Sequence, residues 1–212
     1  MNNANYAKLT AGLIAAWFIM ALSASALHVF KTDPTVPPLP LGLAVVIPIV
    51  LFWLWFATSA RFRHFALSLN PQTLTILQSW RIAGFAFLVL HTYGILPGVF
   101  ALPAGWGDIV IGATAPLVAM KLTNSNHRKG FVLWQVLGIA DLVTAVTNGT
   151  MARIISPHAV ATSAMTVLPL SLIPTFAVPL FMIFHMICIV QARQVSERGH
   201  AHVGERLPAS VA

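Results

Sequence analysis

Charge is what this sequence has least of. Asp, Glu, Lys and Arg together make up 8% of its 212 residues, where water-soluble domains carry roughly 25%. So few charges cannot cover a water-facing surface, which excludes an ordinary soluble globular domain. A single cysteine, Cys188, excludes an internal disulfide and any Cys-X-X-Cys redox or zinc pair. The sequence also lacks a Gly-rich phosphate loop, a His-Glu-X-X-His pair and a Gly-X-Ser-X-Gly elbow. It has no arginine ladder of the voltage-sensor kind, and no lysine in a late helix where a Schiff base could form. These absences lean away from an enzyme. No internal repeat is evident, and the two halves share no matching Gly/Pro interruption of the kind that marks inverted-repeat transporters.

Apolar residues are what is abundant: 58% of the chain, with a mean hydropathy of +0.82. A bilayer-crossing helix needs about 20 residues. Six apolar segments of about that kind fill the sequence: Leu9 to His28, Leu41 to Ala60, Thr73 to Ile95, Trp106 to Met120, Phe131 to Asn148 and Ala161 to Val190. The expected fold is an all-α, polytopic membrane bundle of about six helices. Residues 1–192 form a single transmembrane domain, and residues 193–212 a polar, disordered tail. The breaks carry helix-ending chemistry: Asp33-Pro34, Pro37-Pro38-Leu39-Pro40, Asn70-Pro71, then Pro97, Pro103 and Gly105, a polar turn from Thr123 to Gly130, and Ser156-Pro157. A signal-peptide reading of the first segment, cleaved near Ser23-Ala24-Ser25-Ala26, competes with a retained helix. The retained helix is the expectation here.

The net charge of +7 invites a nucleic-acid partner, but the cations are not gathered on one polar face. They sit in the gaps between apolar segments. Lys8, Arg61, Arg63, Lys121, Arg128, Lys129, Arg193, Arg198 and Arg206 make nine on one side, and Lys31 and Arg153 make two on the other. Such a bias places the richer side in the cytoplasm. The expectation is therefore a multi-pass protein of a bacterial-type inner membrane with both termini cytoplasmic. Its partner is the lipid bilayer rather than nucleic acid, with a homo-oligomer or larger membrane complex left open. The tail's His200 and His202 read as solvated residues rather than a metal site.

Ionisable groups inside apolar segments cost several kcal/mol each and are functional candidates by default. Three are charged residues: Arg81, Asp108 and Asp141. At about 1.5 Å rise per residue, Arg81, Asp141 and His185 fall at similar depth and form an inner layer. Gln78 and Thr92 lie on roughly the Arg81 face, and Gly138, Ala145 and Asn148 extend a stripe through Asp141. The third and fifth helices are therefore expected to meet. His28, His91 and Asp108 fall into an outer layer, with Asp108 in the first turn of its helix, where a carboxylate caps free N–H groups. The apolar stretch from Leu96 to Gly107 reads as a snug connector; the alternative is a stretch that dips into the outer leaflet or plugs the bundle, with Trp106 as an interface anchor. Prolines at 169, 174 and 179 bend the last segment and free carbonyls for an ion, a water or a hydroxyl such as Ser171 or Thr175.

Three functions fit this pattern. A small-solute or proton-linked transporter would use the inner layer and the bent last helix. A haem-binding or redox protein would use His28, His91 and His185, since haem is held by histidines from facing helices. A non-catalytic accessory subunit would need neither.

Overall fold

The computed structural model describes residues 3–32, 36, 38–123, 127–155 and 162–204. Asp33-Pro34, Ser156-Pro157 and Glu205, as well as the side chains of His200 and His202, lie outside the described part. All regular structure in it is helical. Among the described residues, 6 helices are long and apolar enough to cross a membrane: Ala4–Ala26, Leu39–Thr58, Pro71–Thr92, Gly98–Lys121, Arg128–Ala152 and Ile173–Gln194.

The first helix, α1 (Asn3–Ala26), ends in a Schellman turn. Val29 N–H reaches Ala24 O, and His28 N–H reaches Ser25 O. His28 takes the left-handed conformation (φ 58°) that this closure requires. The second, α2 (Leu39–Thr58), carries Pro40 in its first turn and breaks at Ser59. There the Ser59 hydroxyl accepts from Phe62 N–H and starts a short helix, α3 (Ala60–Leu67). Arg61 and Arg63, expected in a loop, lie on this helix. Its aromatic face packs with Tyr6, Trp55 and Phe56.

The third span opens as the Asn70-Pro71 pair predicts. Asn70 Oδ1 accepts from Gln72 N–H at 2.8 Å, with Pro71 at the first helical position. It is not one helix, however. α4 (Pro71–Leu77) passes into a 3₁₀ segment, Gln78–Gly84, before α5 (Phe85–Thr92). The tighter winding, three residues per turn instead of 3.6, rotates everything after it. Gln78 and Arg81 are buried, while Thr92 faces outward, so the shared face expected for the three does not exist.

The fourth span corrects a second expectation. α6 runs from Gly98 to Lys121, eight residues earlier than Trp106. Pro97 precedes its first turn. Pro103 lies on the exposed side and deletes one hydrogen bond near the helix start, which the helix tolerates. The apolar connector is therefore mostly helix, and Trp106 is an outward-facing helical residue.

The fifth span is α7 (Arg128–Ile155). The sixth begins with a π-helical turn, Ile173–Ala177, containing Pro174, and continues as α8 (Val178–Gly204). Helix thus runs through residues 193–204, the first part of the expected tail. The Thr175 hydroxyl donates to Ser171 O at 2.7 Å, a carbonyl that also accepts Thr175 N–H, rather than to a carbonyl freed by proline.

The last four spans form the core. Over their most apolar stretches, the first and second have the smallest share of buried residues and the sixth the largest. The fourth sits centrally and packs on the third and the fifth, while the fifth and sixth pack together. The third and fifth spans meet, as expected, through side chains of Arg81 and Asp141 and of Thr75 and Gln135, while the closest backbone packing of both is on the fourth. Two apolar clusters close the ends, one around Trp134, Ile187 and Leu74, the other around Phe87, Phe100 and Met165.

Candidate functional site

Between those two apolar ends lies a polar layer. Counted from the start of each span, Arg81 is residue 11 of 22, Asp108 is 11 of 24, Asp141 is 14 of 25 and His185 is 13 of 22. All four sit near mid-length, about 15–20 Å along their helices.

Arg81 is the hub. Its side chain is 1% exposed. Nε donates to Asp108 Oδ1 at 2.7 Å, and Nη2 pairs with Asp141 Oδ2. Nη1 donates to Gly138 O at 3.3 Å and faces His185 Nε2 at 3.3 Å. One guanidinium therefore ties together the third, fourth, fifth and sixth spans. Arginine has no acceptor, so His185 Nε2 must accept and Nδ1 must carry the ring proton. Nδ1 then donates to Gln135 Oε1 at 2.5 Å. Gln135 Nε2 donates onward to Thr75 Oγ1 at 3.3 Å, and Thr75 Oγ1 to Pro71 O at 2.7 Å. The chain of donors runs in one direction and leaves the imidazole no spare nitrogen.

The structure thus brings Arg81, Asp141 and His185 together, and it adds Asp108. Asp108 does not cap a helix and does not belong to an outer layer. With α6 beginning at Gly98, the helix N-terminus is ten residues away, about 15 Å. His28 is exposed at the end of α1 and serves as the left-handed stop. His91 Nδ1 bonds Leu96 O at 3.1 Å and braces the turn between α5 and α6. The outer-layer grouping therefore dissolves, and the three histidines occupy three separate settings. Gln78 lies one turn from Arg81 but donates to Phe181 O at 3.1 Å. Asn148 is half-buried two turns beyond Asp141, outside the cluster. Among the described residues, no group of three His, Cys, Asp or Glu has a metal-holding arrangement.

Glycine makes the site's close approaches feasible. A Cβ at Gly107 would overlap the Asp141 carboxylate, one at Gly138 the His185 ring, one at Gly84 the Asp108 side chain, and one at Gly112 the backbone of Arg81 and Ile82. Small residues let helices approach closely; here they let side chains of neighbouring spans cross. Gly107→Ala is expected to destabilise the fold by about 1–3 kcal/mol, the usual cost of overpacking, because the carboxylate it strikes is held by Arg81. Thermal unfolding in lipid nanodiscs reads this directly; a wild-type midpoint would contradict the packing described.

Gln135, Thr75, Gly84, Gly107 and Gly112 are not among the residues the sequence singles out as site candidates, although two signals point to the first two. The Asp141 stripe, extended back by one turn from Gly138, reaches Gln135. Thr75, Gln78 and Arg81 recur at a spacing of three.

A cavity of about 210 Å³ adjoins the cluster. Val45, Phe87, Phe100, Leu142, Ile173 and Val178 supply apolar wall, and among the described residues Asp108 is the one ionisable residue of its lining. It reaches the end of the bundle where α2 starts and α7 ends, opposite the end that carries Arg61, Lys121 and Arg128.

Comparison with known families finds one, described as a domain of unknown function (DUF8737), that matches residues 38–193. The chain belongs to that family. The match takes in α2 to α7 and most of α8, including every residue of the Arg81 cluster, and leaves out α1. Neither the curated proteins nor the solved structures gave a match.

Proposed function

We propose that this protein is a small proton- or cation-linked transporter of a cell membrane of the bacterial inner-membrane type, with both termini in the cytoplasm. The orientation follows from nine cations at one end against two at the other, Lys8, Arg61, Arg63, Lys121, Arg128, Lys129, Arg193, Arg198 and Arg206 against Lys31 and Arg153. With that orientation the cavity faces the outside.

One observation carries the reading. A single buried arginine faces two carboxylates at mid-depth. An Arg–Asp pair alone would be neutral and would suit a structural staple. The second carboxyl group leaves one negative charge in excess, in a region where an unbalanced charge costs several kcal/mol. A proton or a cationic group balances it. Arg81 is poorly suited to an anionic solute, because four of its five N–H donors already have partners within the protein and two of those partners are carboxylates. His185 cannot serve as the exchangeable base, because both its nitrogens are engaged. It acts as a positioning residue. The two carboxyl groups keep about 15% and 16% side-chain exposure, so the exchangeable charge resides on them.

Movement between inward and outward access needs spans that can change shape. The 3₁₀ segment Gln78–Gly84 carries Arg81, and the π-turn Ile173–Ala177 lines the cavity. Departures of this kind from α geometry recur at functional hinges.

The test is reconstitution into vesicles with an imposed pH gradient and a panel of small solutes inside. Wild-type protein is expected to move protons across the membrane with at least one of them, faster than protein-free vesicles. Rates equal to protein-free vesicles across the panel, both cationic and neutral, would remove the reading.

A further inference from the structure

The cavity's chemistry is as uneven as the cluster's charge. Its walls are apolar, and three threonines, Thr150, Thr162 and Thr166, contribute hydroxyls. Each of those already donates to a backbone carbonyl: Val146 O, Gly149 O and Ser163 O. That leaves their oxygens as acceptors only, and Asp108 as the charged feature a ligand would meet among the described residues. Oδ1 of Asp108 is bound to Arg81 Nε. Among the described residues no hydrogen bond engages Oδ2 of Asp108, and the atom is not sealed from solvent. Two rings, Phe87 and Phe100, stand in the wall with centroids 5.4 Å apart. Aromatic faces attract a cation that comes within about 6 Å of the ring centre.

We infer that the cavity binds a protonated amine carrying one ring-sized apolar group, its ammonium on Oδ2 of Asp108 and its apolar body against Phe87, Phe100 and Leu142. Size sets the body. A volume of about 210 Å³ exceeds by a little the roughly 150 Å³ apolar cavity that accommodates benzene, which leaves room for a ring and a short linker. Charge sets the head. An ammonium supplies the one positive charge the cluster lacks and donates to the unbonded oxygen, whereas a carboxylate would add a third negative group and an alcohol would add no charge. Loading of this amine and protonation of the cluster would then exclude one another, since either supplies the balancing charge. This inference rests on the transport reading above, and names the solute for it.

The test uses three ligands of one shape: phenethylammonium, the neutral 2-phenylethanol and the anionic phenylacetate. Each is titrated into the purified full-length protein in lipid nanodiscs, by calorimetry. The ammonium is expected to bind saturably, about tenfold or more tighter than the alcohol, as close charge pairs away from water warrant, and phenylacetate not to bind. Asp108→Asn should remove the preference for the ammonium and leave alcohol binding unchanged. Ala145→Phe, which fills the cavity from its α7 wall, should remove both. If Asp108→Asn fails to fold, wild type and Ala145→Phe decide with the same three ligands. Equal binding of ammonium and alcohol by wild type, or ammonium binding that survives Ala145→Phe, overturns the inference. Vesicle flux separates the two readings. Charge-selective binding without any flux removes the transporter and keeps the site. Flux without ammonium binding removes the site and keeps the transporter.

Discussion

Replacing Arg81 with methionine should destabilise the protein by about 3–5 kcal/mol, the cost of breaking a buried ion pair from one side. Methionine fills similar volume, so the loss is electrostatic rather than a cavity. It leaves Asp108 and Asp141 facing each other without the guanidinium that both now share. It also removes the donors to Gly138 O and His185 Nε2. Stability of this kind is only about 5–15 kcal/mol in total for most proteins, so much of Arg81→Met should be lost as aggregate on extraction. The triple variant Arg81→Met, Asp108→Asn, Asp141→Asn restores charge balance and should recover most of the loss. Thermal unfolding in nanodiscs measures both. A triple variant no better than Arg81→Met would mean that the hydrogen bonds, not the charges, hold the four spans together.

Asp141→Asn tests the opposite case. It leaves Arg81 paired with Asp108 alone, a neutral buried pair, and the amide oxygen introduced at position 141 can still accept from Nη2. The fold should therefore survive with a midpoint within a few degrees of wild type. Proton-linked flux should nevertheless fall by on the order of 100-fold, the usual scale when a positioned proton-transfer group is removed. Asp141→Glu keeps the carboxyl group and should retain part of the rate. A structural ion pair predicts the reverse order: Asp141→Asn would damage the fold and any activity in proportion.

Much of this site is legible in the sequence alone. Depth arithmetic places Arg81, Asp141 and His185 at one level, because rise per residue is nearly constant along apolar helices. Asp108 escapes that arithmetic for a local reason. Pro97, Pro103 and Gly105 read together as breakers, which puts the expected helix start at Trp106. In the fold those residues do other things. Pro97 precedes the first turn, Pro103 faces outward, and Gly105 lets the helix close on Leu88 and the Gly84 carbonyl. One misread boundary moves Asp108 from mid-depth to the surface and hides the second carboxylate.

The number of spans and their order are legible for the same reason that membrane topology generally is: each span must satisfy its own backbone, so length and apolarity nearly suffice. Departures from α geometry are not. The 3₁₀ segment Gln78–Gly84 has no proline and no breaker before Gly84, so its tighter winding is set by what packs on it. Gly112 admits the Ile82 backbone against α6, and Arg81 is drawn toward Asp108 and Asp141. A face computed at 100° per residue therefore fails at Thr92. The short helix Ala60–Leu67 is hidden in the same way, since its apolar face is aromatic and only two turns long.

If the cluster exchanges a proton with the water on one side of the bilayer, that proton crosses part of the membrane, and the displaced charge is measurable without knowing the solute. Protein-containing membranes adsorbed on a sensor and given a sudden pH step should produce a transient current in wild type. The transient should be absent in Asp141→Asn that retains its thermal midpoint. A wild-type membrane with no transient, or a transient of the same size in Asp141→Asn, would contradict an exchangeable charge at Arg81, Asp108 and Asp141.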